Sequence, residues 1–440
     1  MISRRQFIDG LAVGAAGMAI GATAKSYAQI IGANDRLNFA VIGTSSRGYA
    51  HLAGLKANTD SCRITHICDV DSQILNRYAS KAAEELGYTP KTSGDFREIL
   101  ESRDVDVITI ATPDHWHAPL AILGLKAGKH VYVEKPSSHN PREGELLVLA
   151  QQKYGKLVQV GNQRRSSVST IEIIKEIHEG RIGTAYYGKA WYADTRGSMG
   201  IGKVASVPET LNWDLWQGPA PRSEYKDNIH PYNWHWLRRY GTGEALNNGT
   251  HEVDLCRWAL GVEYPNRVSA VGGRYQFKDD WQYYDTLVVS LNYPTKTICW
   301  EDKSAQGMKC YGRNRGVLIQ GTEGSVIIDH EGYEVFDWKG NKTDSQGKTE
   351  DLGSVIDHRG VDELTKAHFR NLINGIRVGE QLHSPIVEIN TTITSLQLAN
   401  ISWIVGSELG VEVKTGHVTN SAEAMKLWSR EYEKGWEVKV

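Results

Sequence analysis

Cysteine is scarce in this chain. Five thiols occur in 440 residues, at positions 62, 68, 256, 299 and 310, an odd count with no C-x-x-C pair. That spacing excludes a disulfide framework and argues against a structural zinc site. Neither sign of charge is in excess, 50 basic against 52 acidic residues, so no electrostatic footprint for nucleic acid appears. Past the N-terminal segment no run approaches the roughly 20 apolar residues that a membrane helix needs, so stable membrane insertion is not expected. No G-x-S-x-G elbow marks a nucleophilic serine, and no repeat or low-complexity block occurs. Tryptophan is nearly missing from the first part: one of 13, Trp116, precedes residue 190, while eight fall between Trp191 and Trp300. The two parts therefore have different tasks, and the length suits two domains.

What is present begins with an address. Residues 3–9 read SRRQFID, a twin arginine followed by an apolar pair, then an Ala/Gly-rich stretch from Gly10 to Ala24 and small residues around Ala28. The pattern predicts a twin-arginine export signal over residues 1–28, too short to span a bilayer, and a periplasmic or otherwise extracytoplasmic location. An ordinary amphipathic helix is the competing reading, but residues 10–24 offer no polar face.

Leu37 to Gly43 is a short apolar run entering the turn Gly43-Thr-Ser-Ser-Arg-Gly48, followed by a helical pattern and a second strand, Arg63 to Asp69, that ends in an acid. Strand, glycine turn, helix, strand and terminal acid is the order of a dinucleotide-binding unit. In it Gly43, Ser45, Ser46, Arg47 and Gly48 are placed to meet a pyrophosphate, and Asp69 to take the adenine-ribose hydroxyls. A carboxylate there repels a 2′-phosphate, so NAD is expected over NADP. Ser45 stands where G-x-G-x-x-G wants its middle glycine, which leaves the motif weak alone and a plain structural turn open. Further strands at Asp104–Thr112, Gly128–Val133 and Leu157–Val160, with a helix from His117 to Ala127, complete an alternating α/β pattern. A doubly wound parallel sheet is the expected result, with ligands beyond its carboxyl strand ends. Thr112, Pro113, His117, Glu134 and Lys135 fall at such ends.

Three stretches, ATPDHWHAPLAILGLKAGKHVYVEKP (111–136), GEALNNGTHEVD (243–254) and HFRNLINGIRVGE (368–380), resemble the Gfo/Idh/MocA family of glucose–fructose oxidoreductase and inositol dehydrogenase. The likeness covers essentially the whole chain after the signal, and EKP after GKHV is its most specific element. It implies a Rossmann domain over residues 36–158 and an α/β substrate and oligomerisation domain over 159–440. The second domain would carry an open, mostly antiparallel sheet that covers the nicotinamide and joins subunits into a dimer or tetramer. It further implies hydride transfer between NAD(P) and a sugar, polyol or related ring.

Oxidising a secondary alcohol requires a base, a group that favours alkoxide character, and a fixed carbon beside the nicotinamide. Lys135 suits the electrostatic role, although an EKP lysine can equally be a solvated loop charge. The family motif reads roughly D-x-G-x-H; here the acid position is Asn247, and an amide takes up no proton. His251 is therefore the expected base, Asn247 an orienting group, and Asp254, one helical turn on, a partner for the imidazole ring. The competing reading makes His251 a polar cap on a buried helix. Arg164, Tyr232 and His235 are further substrate-binding candidates, with Trp234 beside them, while packing or a surface pair explains them as well. Trp191, Trp213 and Trp216 are expected in packing or an oligomer interface. His115, His117, His230, His235, His251 and Asp254 cluster without i, i+4 spacing, so no metal is expected.

The remaining chain reads as strands and hairpins over Val268–Asn292 and Val317–Glu334, a polar loop over 338–360, and helices over Glu363–Val378, Thr391–Leu409 and Ala422–Lys434. The leading expectation is an NAD(P)-dependent oxidoreductase acting on a carbohydrate, with its cofactor retained between turnovers. Two alternatives stand beside it. One is a redox-assisted glycosidase or lyase that works through a 3-keto intermediate; the related glycosidase branch typically lacks the EKP lysine and the HxxD helix found here. The other is a non-catalytic, NAD-bound sugar sensor.

Overall fold

The computed structural model describes residues 36–330, 332–347 and 363–440. The export signal expected at residues 1–28 lies outside them. Two sheets organise the chain. The first contains β1 (Leu37–Ile42), β2 (Cys62–Cys68), β3 (Lys91–Ser93), β4 (Val107–Ile110), β5 (His130–Val133) and β6 (Val158–Val160). All are parallel, in the order β3-β2-β1-β4-β5-β6, the arrangement of a dinucleotide-binding sheet. Helices cover both faces, so a strand such as β4 is buried at every residue, which is why these strands read as continuous apolar runs. Edge strand β3 is short and polar and gave no such signal.

The second sheet holds β7 (Ala185–Ala193), β8 (Arg267–Gly273), β9 (Thr286–Asn292), β10 (Thr297–Lys303), β11 (Arg315–Gly321), β12 (Gly324–Ile328), β13 (Gly332–Asp337), β14 (Lys342–Gly347) and β15 (Leu409–Gly410). Their order is β14-β13-β12-β11-β7-β10-β9-β8-β15, and every pairing is antiparallel except β7 with β10. Alternation is clean here: in β10, Ile298, Trp300 and Asp302 are buried while the residues between them are not. One face packs on the helices Gly249–Leu260 and Ile386–Val405, and the other is open. Strand β14 lies where a loop was expected, because it is exposed at every position and carries no hydrophobic period. The helix expected from Thr391 begins at Ile386, directly after Pro385, and the one expected to reach Lys434 ends at Lys426.

The chain returns to the first domain near its end. Helix Glu363–Val378 packs against the parallel sheet, with Phe369 stacked on Tyr132 at 4.4 Å and Arg370 paired with Asp60 at 2.9 Å. Within the second domain Arg165 makes a two-pronged ion pair with Asp254, at 2.6 and 3.0 Å, and a third bond to Glu388 at 2.6 Å. Among the described residues, no helix is long and apolar enough to cross a membrane.

Candidate active site

The carboxyl ends of β1, β2, β4 and β5 open onto one cavity of about 590 Å³ whose far wall comes from the second sheet and the loop after β7. Its floor is the turn after β1. Gly43 takes φ +87°, and a Cβ there would sit 2.5 Å from Ala111 O, so only glycine lets this turn meet the end of β4. Gly48 does not line the cavity; a Cβ on it would lie 2.7 Å from Gly43 O, which ties the helix Ser46–Lys56 to the turn. Ser45, in place of the middle glycine, is the N-cap of this helix and makes no side-chain capping bond, and the first turn carries no acid. The helix therefore presents its positive end and free amides to the cavity, a setting for a pyrophosphate.

Asp69, at the end of β2, closes the turn. The main-chain N–H and the hydroxyl of Thr44 each donate to its Oδ2 at 2.8 Å, and the Asp71 N–H donates to Oδ1 at 3.0 Å. Burial raises its pKa, and these bonds oppose the rise. The acid still lines the cavity and keeps acceptor capacity, so these residues fit a dinucleotide. Thr112 and Pro113 line it as well. His117 does too, with ring nitrogens 2.8 Å from Thr112 O and 2.6 Å from Pro136 O, which pin the loops after β4 and β5 together. Arg47 reaches across to Glu134 at 2.7 Å and to the Thr365 hydroxyl at 2.9 Å, while His51 Nε2 lies 2.9 Å from the same Glu134 oxygen. Burial works against the Glu134 charge, but Arg47 and His51 outweigh it and hold the carboxyl well below its ordinary range.

Lys135 extends from the end of β5 to the second domain. Its Nζ donates to Asn247 main-chain O at 2.6 Å and to Asn247 Oδ1 at 3.1 Å. Burial lowers the Lys135 pKa, and Glu134 and Asp114 resist the fall. His251 stands in the first turn of helix Gly249–Leu260 and lines the same cavity. Its Nδ1 is buried with no hydrogen-bond partner among the described residues. Burial pushes this imidazole well below the ordinary histidine range, and the charges of Lys135, Arg315 and Arg164 push the same way. The ring is therefore neutral, with one acceptor nitrogen.

Tyr232, Trp234 and His235 form the rim. Tyr232 accepts from Arg196 Nη1 at 3.1 Å, and His235 stacks on Trp234 with centroids 3.6 Å apart. Two expected roles fail. Arg164 does not reach the cavity: it is buried behind it, donating to Glu252 at 2.9 Å. Asp254 does not orient His251, because Arg165 and the Thr392 hydroxyl occupy its oxygens. Trp216, expected in packing, lines the cavity at the dinucleotide end. Among the polar lining residues that escaped the sequence reading are Tyr192, Asp194, Arg196 and Arg315. Arg315 donates to Glu252 at 2.9 and 3.1 Å and to Asn248 Oδ1 at 3.2 Å. No motif marks them, since they sit on β7, just after it, and on β11, strands joined only by the fold.

A strap from the second domain lies over the dinucleotide end. Asn212 N–H donates to Val70 O at 2.9 Å, Ser72 N–H to Thr210 O at 2.8 Å, and Trp116 Nε1 to Trp216 O at 3.0 Å. His230 Nε2 lies 3.1 Å from Asp71 Oδ2, whose other oxygen caps the helix Ser72–Leu86.

Two family descriptions match the chain: the Gfo/Idh/MocA oxidoreductase family with its NAD-binding Rossmann fold over residues 37–162, and the Gfo/Idh/MocA C-terminal domain over 171–327. The scyllo-inositol 2-dehydrogenase (NAD(+)) of Bacillus subtilis (strain 168) is 24% identical over 313 residues, 69% of this chain and 78% of that protein. A protein called glycosyl hydrolase family 109 protein 2, from Shewanella sp. (strain ANA-3), is 29% identical over 308 residues, 66% of this chain and 62% of its own. In fold, the chain is similar to the WlbA dehydrogenase of Bordetella pertussis in complex with NADH and UDP-GlcNAcA, with a TM-score of 0.63 at 18% identity, covering 86% of this chain and 99% of that one. The glycine turn, the acid closing it and the EKP lysine at the strand ends thus belong to a known design: the chain is a member of the Gfo/Idh/MocA oxidoreductase family, with an NAD-binding Rossmann domain.

Proposed function

We propose that the protein oxidises a secondary hydroxyl of a sugar, polyol or glycoside, with Lys135 and His251 as its catalytic residues. The observation that carries this reading is their convergence. The Lys135 ammonium and the neutral His251 imidazole line one cavity with the turn that fits a dinucleotide. The turn Gly43–Arg47 and Asp69 would hold a dinucleotide whose chemistry is to serve as hydride acceptor for the substrate carbon. His251 accepts the hydroxyl proton, and Lys135 stabilises the alkoxide character that develops on oxygen. A histidine kept neutral by burial is a weak base, so the lysine charge, which makes the hydroxyl more acidic, has to share the work. Asn247, Tyr232 and His235 would orient the ring, with Tyr192, Asp194 and Arg196 beside them. Relatives named as inositol dehydrogenases support a polyol or sugar as substrate. The test is NADH formation from NAD with scyllo-inositol, myo-inositol, levoglucosan and simple glycosides; no absorbance change with any of them, and no glycoside cleavage, would refute the reading.

A second reading has its own support in the glycosyl hydrolase family 109 relative. Oxidation at C3 acidifies the C2–H; a base takes that proton as the protonated glycosidic oxygen leaves C1, water then adds across the C1–C2 double bond, and the hydride returns to C3. Release of p-nitrophenol from a nitrophenyl glycoside without net NADH would select it. Residues 3–9, SRRQFID, support export by the twin-arginine route to the periplasm. The paired Val271 and Val288, exposed apolar side chains on β8 and β9, support assembly of a homo-oligomer through the second sheet.

A further inference from the structure

Asparagine at 247 and 248 is chemically odd in a site that moves a proton, and the fold gives it a reason. Glu244, three residues earlier, is completely buried. Its Oε1 accepts from Asn247 Nδ2 at 3.2 Å and, at close range, from Asn248 Nδ2. Its Oε2 lies 2.9 Å from Arg196 Nε, an ion pair without hydrogen-bond alignment. The carbonyl ends of the two amides are also taken: Asn247 Oδ1 accepts from Lys135 and Asn248 Oδ1 from Arg315. Each amide thus bridges a cation and one shared acid. Only a side chain that both accepts and donates can do this. An aspartate at 247 would set a second carboxylate oxygen against Glu244, where two like charges cannot both ionise at low cost. Lys135, Arg196 and Arg315 face Glu244 as cations, Tyr192 and Tyr284 as phenols, and Asp302 as a further buried acid. Burial pushes Asp302 strongly toward its protonated form, which leaves Glu244 as the carboxylate that meets Arg196.

We propose that Glu244 is the positioning residue of this site, one buried carboxylate that holds Asn247, Asn248 and Arg196. The inference rests on the oxidoreductase reading for its kinetic meaning, but its geometry is testable without a substrate.

The experiment compares Asn247→Asp, Glu244→Gln and the double variant, which exchanges acid and amide and conserves the charge. Melting temperatures are read at pH 5, 7 and 9. In Asn247→Asp one of two adjacent carboxyls has a raised folded pKa, so its stability deficit is small at pH 5 and grows toward pH 9. Adding Glu244→Gln removes most of that growth. A deficit equal at all three pH values, or a double variant no better than the worse single one, overturns the proposal. With a polyol that the wild-type protein turns over, Asn247→Asp lowers kcat/KM by at least about tenfold at pH 8, and the double variant regains most of it. If no polyol is turned over, the function falls while the melting arm still decides the role of Glu244.

Discussion

Lys135 Nζ holds Asn247 twice, through the main-chain oxygen at 2.6 Å and the side-chain oxygen at 3.1 Å. The end of the parallel sheet is thereby bonded to the start of the helix that carries His251, so one lysine both charges the site and sets the distance between its halves. Lys135→Met removes the charge and keeps most of the volume. The expected outcome is a fall in kcat on the order of a hundred- to a thousand-fold, with NAD binding intact. Steady-state kinetics beside a fluorescence titration of NADH checks it; a variant that loses NADH binding equally would assign Lys135 to the cofactor instead.

Asp69 has two tasks that can be separated. Its oxygens hold the glycine turn through Thr44, and its charge faces the cavity. Asp69→Asn keeps an acceptor for Thr44 and removes the charge. We expect the preference for NAD over NADP to fall by about tenfold, mostly through a gain for NADP. Asp69→Ala, which also frees the turn, should weaken both cofactors. Dissociation constants for NADH and NADPH measure both effects.

The legible parts of this molecule are those in which a local pattern has a local cause. Gly43, Asp69, Thr112 and Lys135 could be placed because strands buried on both faces read as apolar runs, and ligands gather at their carboxyl ends. Arg164 and Asp254 were misassigned for one shared reason. Each is held by a partner 88 or 89 positions away, Glu252 and Arg165, and no spacing along the chain shows such pairings. Arg315 and Tyr192 were missed likewise, since they become neighbours only when β11 pairs with β7. Helical spacing put Asp254 one turn from His251, but a buried ion pair outweighs a hydrogen bond to a ring.

That ion pair sets a stability prediction. Burial raises the cost of the Asp254 charge, but Arg165 outweighs it and holds the carboxyl below its ordinary value. Asp254→Asn leaves a buried guanidinium with only Glu388, which is part-exposed, as its counter-charge. A loss of about 3 kcal/mol is expected, because breaking a buried pair strands its other charge. Urea denaturation at pH 7.5 measures it, and a loss under about 1 kcal/mol would place the pair among those that contribute little.

Stability should also fall in mild acid. Burial holds six histidines, His51, His115, His251 and His368 buried and His139 and His235 half-buried, below their ordinary range: His115 and His235 at about 3, His368 at about 4, and the others by direction. Below a free value near 6.5 the unfolded chain binds protons that the folded chain refuses, so unfolding becomes easier as pH drops. Each strongly depressed ring costs roughly 1.4 kcal/mol per pH unit in that window. Denaturation midpoints at pH 7.5, 6.5 and 5.5 should therefore fall steeply between the last two, before most carboxylates titrate. A flat response over that range contradicts the assignment of these rings as neutral.

The strap over the dinucleotide end predicts slow release of cofactor. Thr210, Asn212 and Trp216 are tied to the first domain by main-chain and indole bonds, and His230 meets Asp71 at 3.1 Å beside the acid that closes the turn. Trp216 and Pro231 line the cavity beside this contact, so the expected effect of loosening it falls on the release rate of a dinucleotide rather than on the chemistry. His230→Ala removes one side-chain bond and leaves Lys135 and His251 untouched. One such bond is worth about a factor of ten, which should appear as about tenfold faster release of NADH. Stopped-flow fluorescence, with excess NAD displacing bound NADH, reads the rate directly. Arg267→Ala, an exposed change on β8 far from the strap, serves as the control. If His230→Ala and the control release NADH at the wild-type rate, the strap is packing and not a latch.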